Sequence, residues 1–417
     1  MSTLFPPSGC RSRRDYSLGV RALLLENLHP LATKILTDAG HEVDARSGAM
    51  DEEELLSSLG EVDLLGIRSK TVVTERVLAA HPHLTAIGAF CIGTNQIDLA
   101  AAAERGIAVF NAPFSNTRSV VELAIAEIIA MGRQLTEKNK AMHAGVWDKS
   151  AVGSHEVRGR KLGIVGYGNI GSQLSVVAET LGMHVYFYDA EDKLALGNAR
   201  RCGSLQELLE TVETVTLHVD GRLGNAGIFG AEQFAMMRPR SLFLNLSRGF
   251  VTDYDALAES LKSGHIAGAA IDVFPAEPKH QGDPFESPLQ GIPNVILTPH
   301  VGGSTEEAQA DIGRFVGGKL RDYVALGSTT LSVNLPGLTP TTAPFAQRIA
   351  HLHENNPGVL GCINQRLAEH HINIIGQVLA TRGHQGYVVT DTDSPVTPEA
   401  LTALGDLDGT IRMRSLT

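Results

Sequence analysis

Cysteine is scarce in this chain of 417 residues: four in all, at Cys10, Cys91, Cys202 and Cys362, with no C-x-x-C spacing. Such scatter signals neither a disulfide framework nor a thiolate metal site; it fits free thiols in a reducing cytoplasmic compartment, with no metal expected. Long hydrophobic runs are missing too, since no uninterrupted apolar stretch approaches the roughly 20 residues that a membrane span needs. Positive charge is in the minority, 35 Lys and Arg against 46 Asp and Glu, for a net charge of −11. That balance argues against a general affinity for nucleic acid or an anionic membrane, so an anionic substrate must be gathered by locally placed basic groups. Residues 1–18 lack an apolar core and mix Pro, Ser and Arg, which reads as a disordered tail and not a signal peptide. The whole chain is 43% hydrophobic and 19% charged, an ordinary globular composition with length enough for two or three domains.

What the chain has in abundance is alternation of short apolar runs with helical patterns. Arg21 to Leu25, Val62 to Ile67, Thr85 to Gly88 and Ile107 to Phe110 read as strands, with helical stretches at Asp51 to Leu59 and Thr74 to Ala80 between them. This βαβ order implies a parallel sheet covered by helices. A long helix is expected from Val120 to Met142. A second βαβ series follows, with strands at Thr214 to His218, Leu242 to Asn245, Ala267 to Ile271 and Asn294 to Leu297. The helix Thr305 to Ala325 is expected to return to the first domain and make it discontinuous. The expected division is a substrate-binding domain at 19–114 with 306–333, a nucleotide domain at 115–305, a Pro- and Thr-rich linker at 334–345, and a small α+β unit at 346–417. Within that unit Gln347 to Leu352 and Gly386 to Thr390 read as strands and Gly358 to His371 as a helix.

The second series opens with Lys161-Leu-Gly-Ile-Val-Gly-Tyr-Gly-Asn-Ile-Gly171. An apolar strand runs into Gly166-x-Gly168-x-x-Gly171, a helix follows from Ser172 to Leu181, and the next strand ends in Asp189. The glycines allow a tight turn, close approach of a pyrophosphate, and close helix–strand packing. The helix N-terminus offers N–H groups to the phosphates, and Asp189 accepts the adenosine ribose hydroxyls, favouring NAD over NADP. A lone glycine pattern is weak evidence, since it could be a turn and no more. The flanking strands, helix and acid strengthen it.

Three segments after predicted strands carry groups for chemistry. Arg248, in Asn245-Leu-Ser-Arg-Gly249, is suited to hold a carboxylate by a bidentate pair. Glu277, in Asp272-Val-Phe-Pro-Ala-Glu-Pro278, sits between prolines. His300 lies in Thr298-Pro-His-Val-Gly-Gly303. Each alone has a plain structural reading: a surface arginine, a solvated acid, a satisfied histidine. Together they make a site in which histidine moves a proton, a carboxylate holds its tautomer and raises its pKa, and arginine orients the substrate.

These segments resemble the D-isomer-specific 2-hydroxy-acid dehydrogenases, and more closely the D-3-phosphoglycerate dehydrogenases of the bacterial serine-biosynthesis type. The resemblance extends to Gly88-Ala-Phe-Cys-Ile-Gly-Thr-Asn-Gln-Ile-Asp98, Asn111-Ala-Pro-Phe-Ser-Asn-Thr-Arg-Ser-Val120 and Ala269-Ala-Ile-Asp-Val-Phe-Pro275. It implies an α/β protein: a Rossmann NAD-binding domain, a discontinuous flavodoxin-like substrate domain, and a C-terminal ferredoxin-like ACT domain. It implies catalytic roles for Arg248, Glu277 and His300. NAD contacts would fall on Gly166, Gly168, Asn169, Ile170, Gly171, Asp189, Leu246, Ser247, Arg248, Asp272, His300, Val301, Gly302 and Gly303. The substrate set would be Arg68, Ser69, Lys149 and Arg248, with 3-phosphoglycerate oxidised to 3-phosphohydroxypyruvate and 2-oxoglutarate as a second substrate. His353, Asn355 and Asn373 match positions that bind L-serine as feedback inhibitor, and a homotetramer is expected. The alternatives are another D-2-hydroxy-acid dehydrogenase of the glycerate or lactate type, a NAD-sensing corepressor, or a tail that serves oligomerisation alone. A formate dehydrogenase is disfavoured, because the histidine's partner there is an amide. Two departures stand out: Lys70 in place of an arginine, and a Gly-rich loop from Asp220 in place of a proline-containing one, expected to be mobile and to alter NAD affinity.

Overall fold

The computed structural model describes residues 19–278, 282–341 and 343–416. The expected tail at 1–18 lies outside the described residues. The chain packs as two compact units, one built from the segments up to Pro113 and from Ala310 onward, the other from Phe114–Gln309.

In the first unit β1 (Arg21–Leu24), β2 (Glu42–Ala45), β3 (Leu64–Ile67), β4 (Ala86–Ala89) and β5 (Ala108–Asn111) form a parallel sheet in the order β2-β1-β3-β4-β5. Every residue of β3, β4 and β5 is buried, which is why these strands read as unbroken apolar runs. β2 escapes a reading by apolar runs, because Glu42-Val-Asp-Ala45 lies at the sheet edge with three of its four residues exposed. The same unit holds an antiparallel sheet of β13 (Gln347–Glu354), β14 (Ile374–Arg382), β15 (Gln385–Thr392) and β16 (Thr410–Leu416), in the order β14-β15-β13-β16. With helices Val359–Glu369 and Pro398–Gly405 between them, the connection is βαββαβ.

Alternation along β13 sends its side chains to two apolar layers. Ile349 packs with Ile363, Leu367, Val388 and Leu404 of the small α+β unit. Ala350 and Leu352 join Tyr387, Val389 and Leu416 in a core that also contains Phe110, Val316, Leu320 and Tyr323. At about 1.5–3 kcal/mol for each large apolar side chain buried, these layers dominate what holds the sheet. A buried ion pair fixes the segment leading into it. Arg348, fully buried, meets Asp391 at 2.8 Å and donates to the Thr341 carbonyl at 2.8 Å. Only β13 and β15 read clearly as strands in sequence. β14 and β16 are the outer strands, half-buried for most of their length, and so carry weaker patterns.

The second unit is built on a parallel sheet of β6 (Lys161–Val165), β7 (His184–Tyr188), β8 (Arg200–Arg201), β9 (Thr214–Leu217), β10 (Ser241–Asn245), β11 (Ile266–Ile271) and β12 (Val295–Leu297). Its order is β12-β11-β10-β9-β6-β7-β8. Chain progress reverses between β6 and β9, the switch point where open α/β sheets bind ligands beyond the strand C-termini. The single helix expected from Val120 to Met142 is instead two, Thr117–Gly132 and Leu135–His143, separated by Gln134 at φ +51°. The first buries Val121, Ala124, Ile128 and Met131, while the second buries nothing. The apolar stripe therefore ends where the chain turns.

Candidate active site

β6 delivers the chain to Gly166, whose φ of +92° belongs to the left-handed region that glycine enters freely. A Cβ there would lie 2.7 Å from the carbonyl of His218, beyond β9, so the turn is pressed against the neighbouring strand's exit. A Cβ at Gly171 would lie 2.3 Å from the Gly166 carbonyl oxygen, which is how the helix Asn169–Thr180 sits so close to the strand. Gly168, by contrast, has nothing within 4 Å of its Cβ position, and no side chain caps the helix that starts beside it. Open space before an uncapped helix N-terminus, walled by two crowded glycines, is what a pyrophosphate requires. Asn169 and Ile170 form the first turn of that helix. Tyr167 pins the turn from below, stacked on Phe187 with ring centroids 3.8 Å apart and its hydroxyl 2.6 Å from Ser175. Asp189, just after β7, accepts the Tyr167 N–H at 2.7 Å and the Glu191 N–H at 2.9 Å. Each carboxylate oxygen keeps a lone pair for a ribose hydroxyl. The residues present fit NAD.

The loops after β10, β11 and β12, three adjacent strands, carry the remaining groups. Asn245 braces the first of them: its amide donates to the Arg248 carbonyl, Thr252 and Tyr254, while its oxygen accepts from the Ser247 N–H and hydroxyl. Leu246 and Ser247 are buried there. At Gly249 a Cβ would lie 2.0 Å from the Phe274 carbonyl carbon, so a bare backbone lets the Arg248 loop abut the loop that carries Glu277. The Tyr254 hydroxyl ties the same two loops by donating to the Val273 carbonyl at 2.7 Å. Asp272, 1% exposed, accepts the Thr298 hydroxyl at 2.6 Å, the Val301 N–H at 2.8 Å and the Gly302 N–H at 2.8 Å. It thereby moulds the β12 loop, with Gly302 fitting because a Cβ would lie 2.9 Å from the Asp272 carboxylate. Gly303 follows against Asn116. At the tip His300 takes φ +54°, a left-handed conformation in which histidine is enriched over bulkier residues.

His300 Nδ1 lies 3.0 and 2.9 Å from the two oxygens of Glu277. A carboxylate only accepts, so Nδ1 carries the proton and Nε2 is left for a substrate. The hydrogen bond and then the charge of Glu277 raise the His300 pKa above its ordinary value, against burial; Asp272 adds to this and Arg248 opposes it. Burial works against ionising Glu277. The His300 hydrogen bond and charge, the Phe274 N–H and Arg248 outweigh it and hold Glu277 below the usual carboxylate range. Arg248 thus lies within the electrostatic field of both partners.

The structure also shows groups that sequence patterns did not reveal. Glu127, 3% exposed on the helix Thr117–Gly132, has no hydrogen-bond partner for either oxygen, and burial with the nearby Asp272 charge pushes its pKa to about 8. It is a protonated acid at neutral pH, hidden in sequence because it sits within an otherwise apolar stripe. Glu26 is 8% exposed, and its carboxylate accepts the N–H groups of Ser69, Lys70 and Thr71, shaping the turn that bears Arg68. Arg68 and Ser69 belong to the first unit, whereas exposed Lys149 and Arg248 belong to the second.

The three effector candidates are not brought together within one chain. His353 and Asn355 lie at the C-terminal end of β13, where His353 pairs with Gly386. Asn373 precedes Ile374, which pairs with Thr392 at the other end of β15. His353 Nδ1 donates to the Glu354 carbonyl at 2.7 Å, and its buried Nε2 has no hydrogen-bond partner. Asn373 donates to Asp393 at 3.0 Å. Among the described residues no cluster is arranged to hold a metal ion, Cys91, Cys202 and Cys362 are in no disulfide, and no helix is long and apolar enough to cross a membrane.

Residues 125–302 match the D-isomer specific 2-hydroxyacid dehydrogenase NAD binding domain, and residues 349–412 match an AHAS small subunit-like ACT domain. The chain is 50% identical over 400 residues to D-3-phosphoglycerate dehydrogenase of Escherichia coli strain K12, covering 95% of this chain and 97% of the relative. The chain belongs to the D-isomer specific 2-hydroxyacid dehydrogenases. A Dictyostelium discoideum D-3-phosphoglycerate dehydrogenase is 45% identical, again over 95% of this dehydrogenase and 97% of the relative. Among solved structures, the NAD-dependent formate dehydrogenase of Staphylococcus aureus in complex with NAD is similar at TM-score 0.63 and 26% identity, over 73% of this chain and 95% of that one. The dehydrogenase is thus an NAD-dependent enzyme of Rossmann architecture with a C-terminal ACT domain.

Because Glu277 raises the His300 pKa, Glu277→Gln should lower it. In pH profiles of kcat/KM, the acid limb for alcohol oxidation should move to lower pH, and ketone reduction should fail at lower pH than in the parent. Unchanged profiles in both directions would separate Glu277 from the proton transfer.

Proposed function

We propose that this dehydrogenase oxidises 3-phospho-D-glycerate to 3-phosphohydroxypyruvate with NAD, the first step of L-serine biosynthesis, and that it also reduces 2-oxoglutarate. The observation that carries the chemistry is the His300–Glu277 contact within the field of Arg248, on the strand ends of the sheet that also builds the dinucleotide turn. NAD, when bound, supplies the hydride acceptor. His300 Nε2 takes the hydroxyl proton as the substrate is oxidised and returns it on reduction. Glu277 keeps the Nδ1–H in place and stabilises the imidazolium. Arg248 holds the substrate carboxylate, and so fixes which face of the reacting carbon is presented. The phosphate falls to Arg68, the Ser69 region and Lys149. The substrate assignment is supported by the 50% identity to a relative bearing that name. The expected preference is for 3-phosphoglycerate over D-glycerate and D-lactate in kcat/KM, read from NADH absorbance. Arg68→Ala should raise KM for the phosphorylated acid by at least about tenfold, as the loss of a charge-assisted contact does, and leave D-glycerate turnover unchanged. A phosphate-free acid turned over better by the parent would favour a glycerate- or lactate-type enzyme.

For the ACT domain we infer an amino-acid effector, L-serine, held by His353 and Asn355 of one chain and Asn373 of a second. Since these groups lie at opposite ends of β15 within one chain, a site that uses all three needs two copies, which is consistent with a homo-oligomer up to a tetramer. The same logic links effector binding to assembly. Serine should inhibit and Asn355→Ala should relieve it. No inhibition of the parent up to millimolar serine would leave the ACT domain as an assembly element alone.

A further inference from the structure

The loop after β9, expected to be loose on account of its glycines, is cross-linked by its own side chains. Arg222 meets the Asp220 carboxylate through Nε at 2.9 Å and through Nη2 at 2.6 Å. Asn225 donates to the same carboxylate at 2.9 Å and to the Asp220 carbonyl at 3.0 Å. The guanidinium also reaches across to the segment after β7, where Glu191 lies 3.8 Å away. Glu191 in turn holds Lys193 at 2.6 Å, and its N–H donates to Asp189 at 2.9 Å. A continuous polar network therefore runs from the carboxylate assigned to the adenosine ribose to an arginine beyond the neighbouring strand. β7 and β9 flank β6 in the sheet, so its two ends border the glycine turn.

An arginine beside the ribose-binding acid is the group that dinucleotide folds use to accept an adenosine 2′-phosphate, because its planar fork matches phosphate bidentately. Here that fork is occupied. Asp220 takes two of its N–H directions, and Asp189 and Glu191 surround it with negative charge. Three carboxylates stand among these cations, so the ribose end does not present Arg222 as an uncompensated positive charge to a dianion. The hydrogen bond from Arg222 holds Asp220 below the usual carboxylate range, so the clamp is charged at neutral pH. The Arg222 side chain is 62% exposed, which leaves it accessible to a ligand from solvent.

We propose that Arg222 is a specificity-determining residue of the cofactor site: a latent ligand for an adenosine 2′-phosphate, withheld by Asp220 and by the charges of Asp189 and Glu191. The inference rests on reading Gly166 to Asp189 as the NAD site. Selection against NADP is then a matter of how Arg222 is engaged as well as of the ribose acid itself.

The test is calorimetric titration of the full chain with ADP-ribose and with its 2′-phosphate, which reads the adenosine end apart from turnover. It is paired with kcat/KM for NADH and NADPH. The parent should bind ADP-ribose and discriminate against the 2′-phosphate. Asp220→Asn should raise affinity for the 2′-phosphate by tenfold or more, and adding Arg222→Ala should abolish that gain. Asp189→Asn should also raise it, and adding Arg222→Ala there should remove only the part that exceeds relief of direct repulsion by Asp189. Asp220→Asn carries the test if loss of Asp189, which braces the Tyr167 N–H, prevents folding. An Asp220→Asn gain that survives Arg222→Ala, or no gain in a folded Asp220→Asn protein, overturns the role of Arg222. A parent that fails to bind ADP-ribose overturns the cofactor-site reading itself and the proposal with it.

Discussion

The arrangement of the reacting groups depends on one buried carboxylate. Asp272 leaves β11 and accepts the Thr298 hydroxyl and the Val301 and Gly302 N–H groups, so the loop after β12 folds around it. Together with the His300 N–H to Thr298 carbonyl bond, these bonds shape a loop that holds His300 at a positive φ and against Glu277. Burial raises the pKa of Asp272, and Glu127 behind it remains protonated, with a pKa near 8. The protein thus keeps two acids close together in a dry place by letting one of them stay neutral. Such a support holds the hydrogen-bonded geometry that the proposed proton transfer demands.

The same sheet divides its labour along one edge. The turn after β6 and the acid after β7 form the proposed nucleotide end, while the loops after β10, β11 and β12 form the proposed reacting end. Between them the loop after β9 contributes the His218 carbonyl against Gly166 and the Asp220–Arg222 clamp. Charge follows this division. The helix N-terminus and Arg248 are positive where the proposed function places anions, and acids gather where it places the neutral ribose.

Much of this was legible in sequence because short apolar runs, glycine spacing and chemical side chains after strands are local signals. The parallel sheets, the glycine turn and the positions of Arg248, Glu277 and His300 after successive strands all came from such patterns. What was not legible depends on contacts distant in sequence. Glu127 hides in an apolar helix, and its raised pKa comes from burial in the folded core with the Asp272 charge added. Glu26 shapes the Arg68 turn from more than 40 residues away. Edge strand β2 and outer strands β14 and β16 are half-exposed and so lack a clear alternation. The break at Gln134 sits where the helix stops burying residues, which composition alone does not mark. The Asp220 loop is the sharpest case: its glycines suggest looseness, while its Asp, Arg and Asn side chains supply the cross-links.

The claim that His300, oriented by Glu277, transfers the proton is tested most directly by single-turnover hydride transfer in His300→Ala. The rate should fall by roughly 10²–10⁴-fold, the range for losing a positioned acid–base group, with NADH affinity measured by fluorescence nearly unchanged. Hydride transfer at the parent rate in that variant would contradict the account.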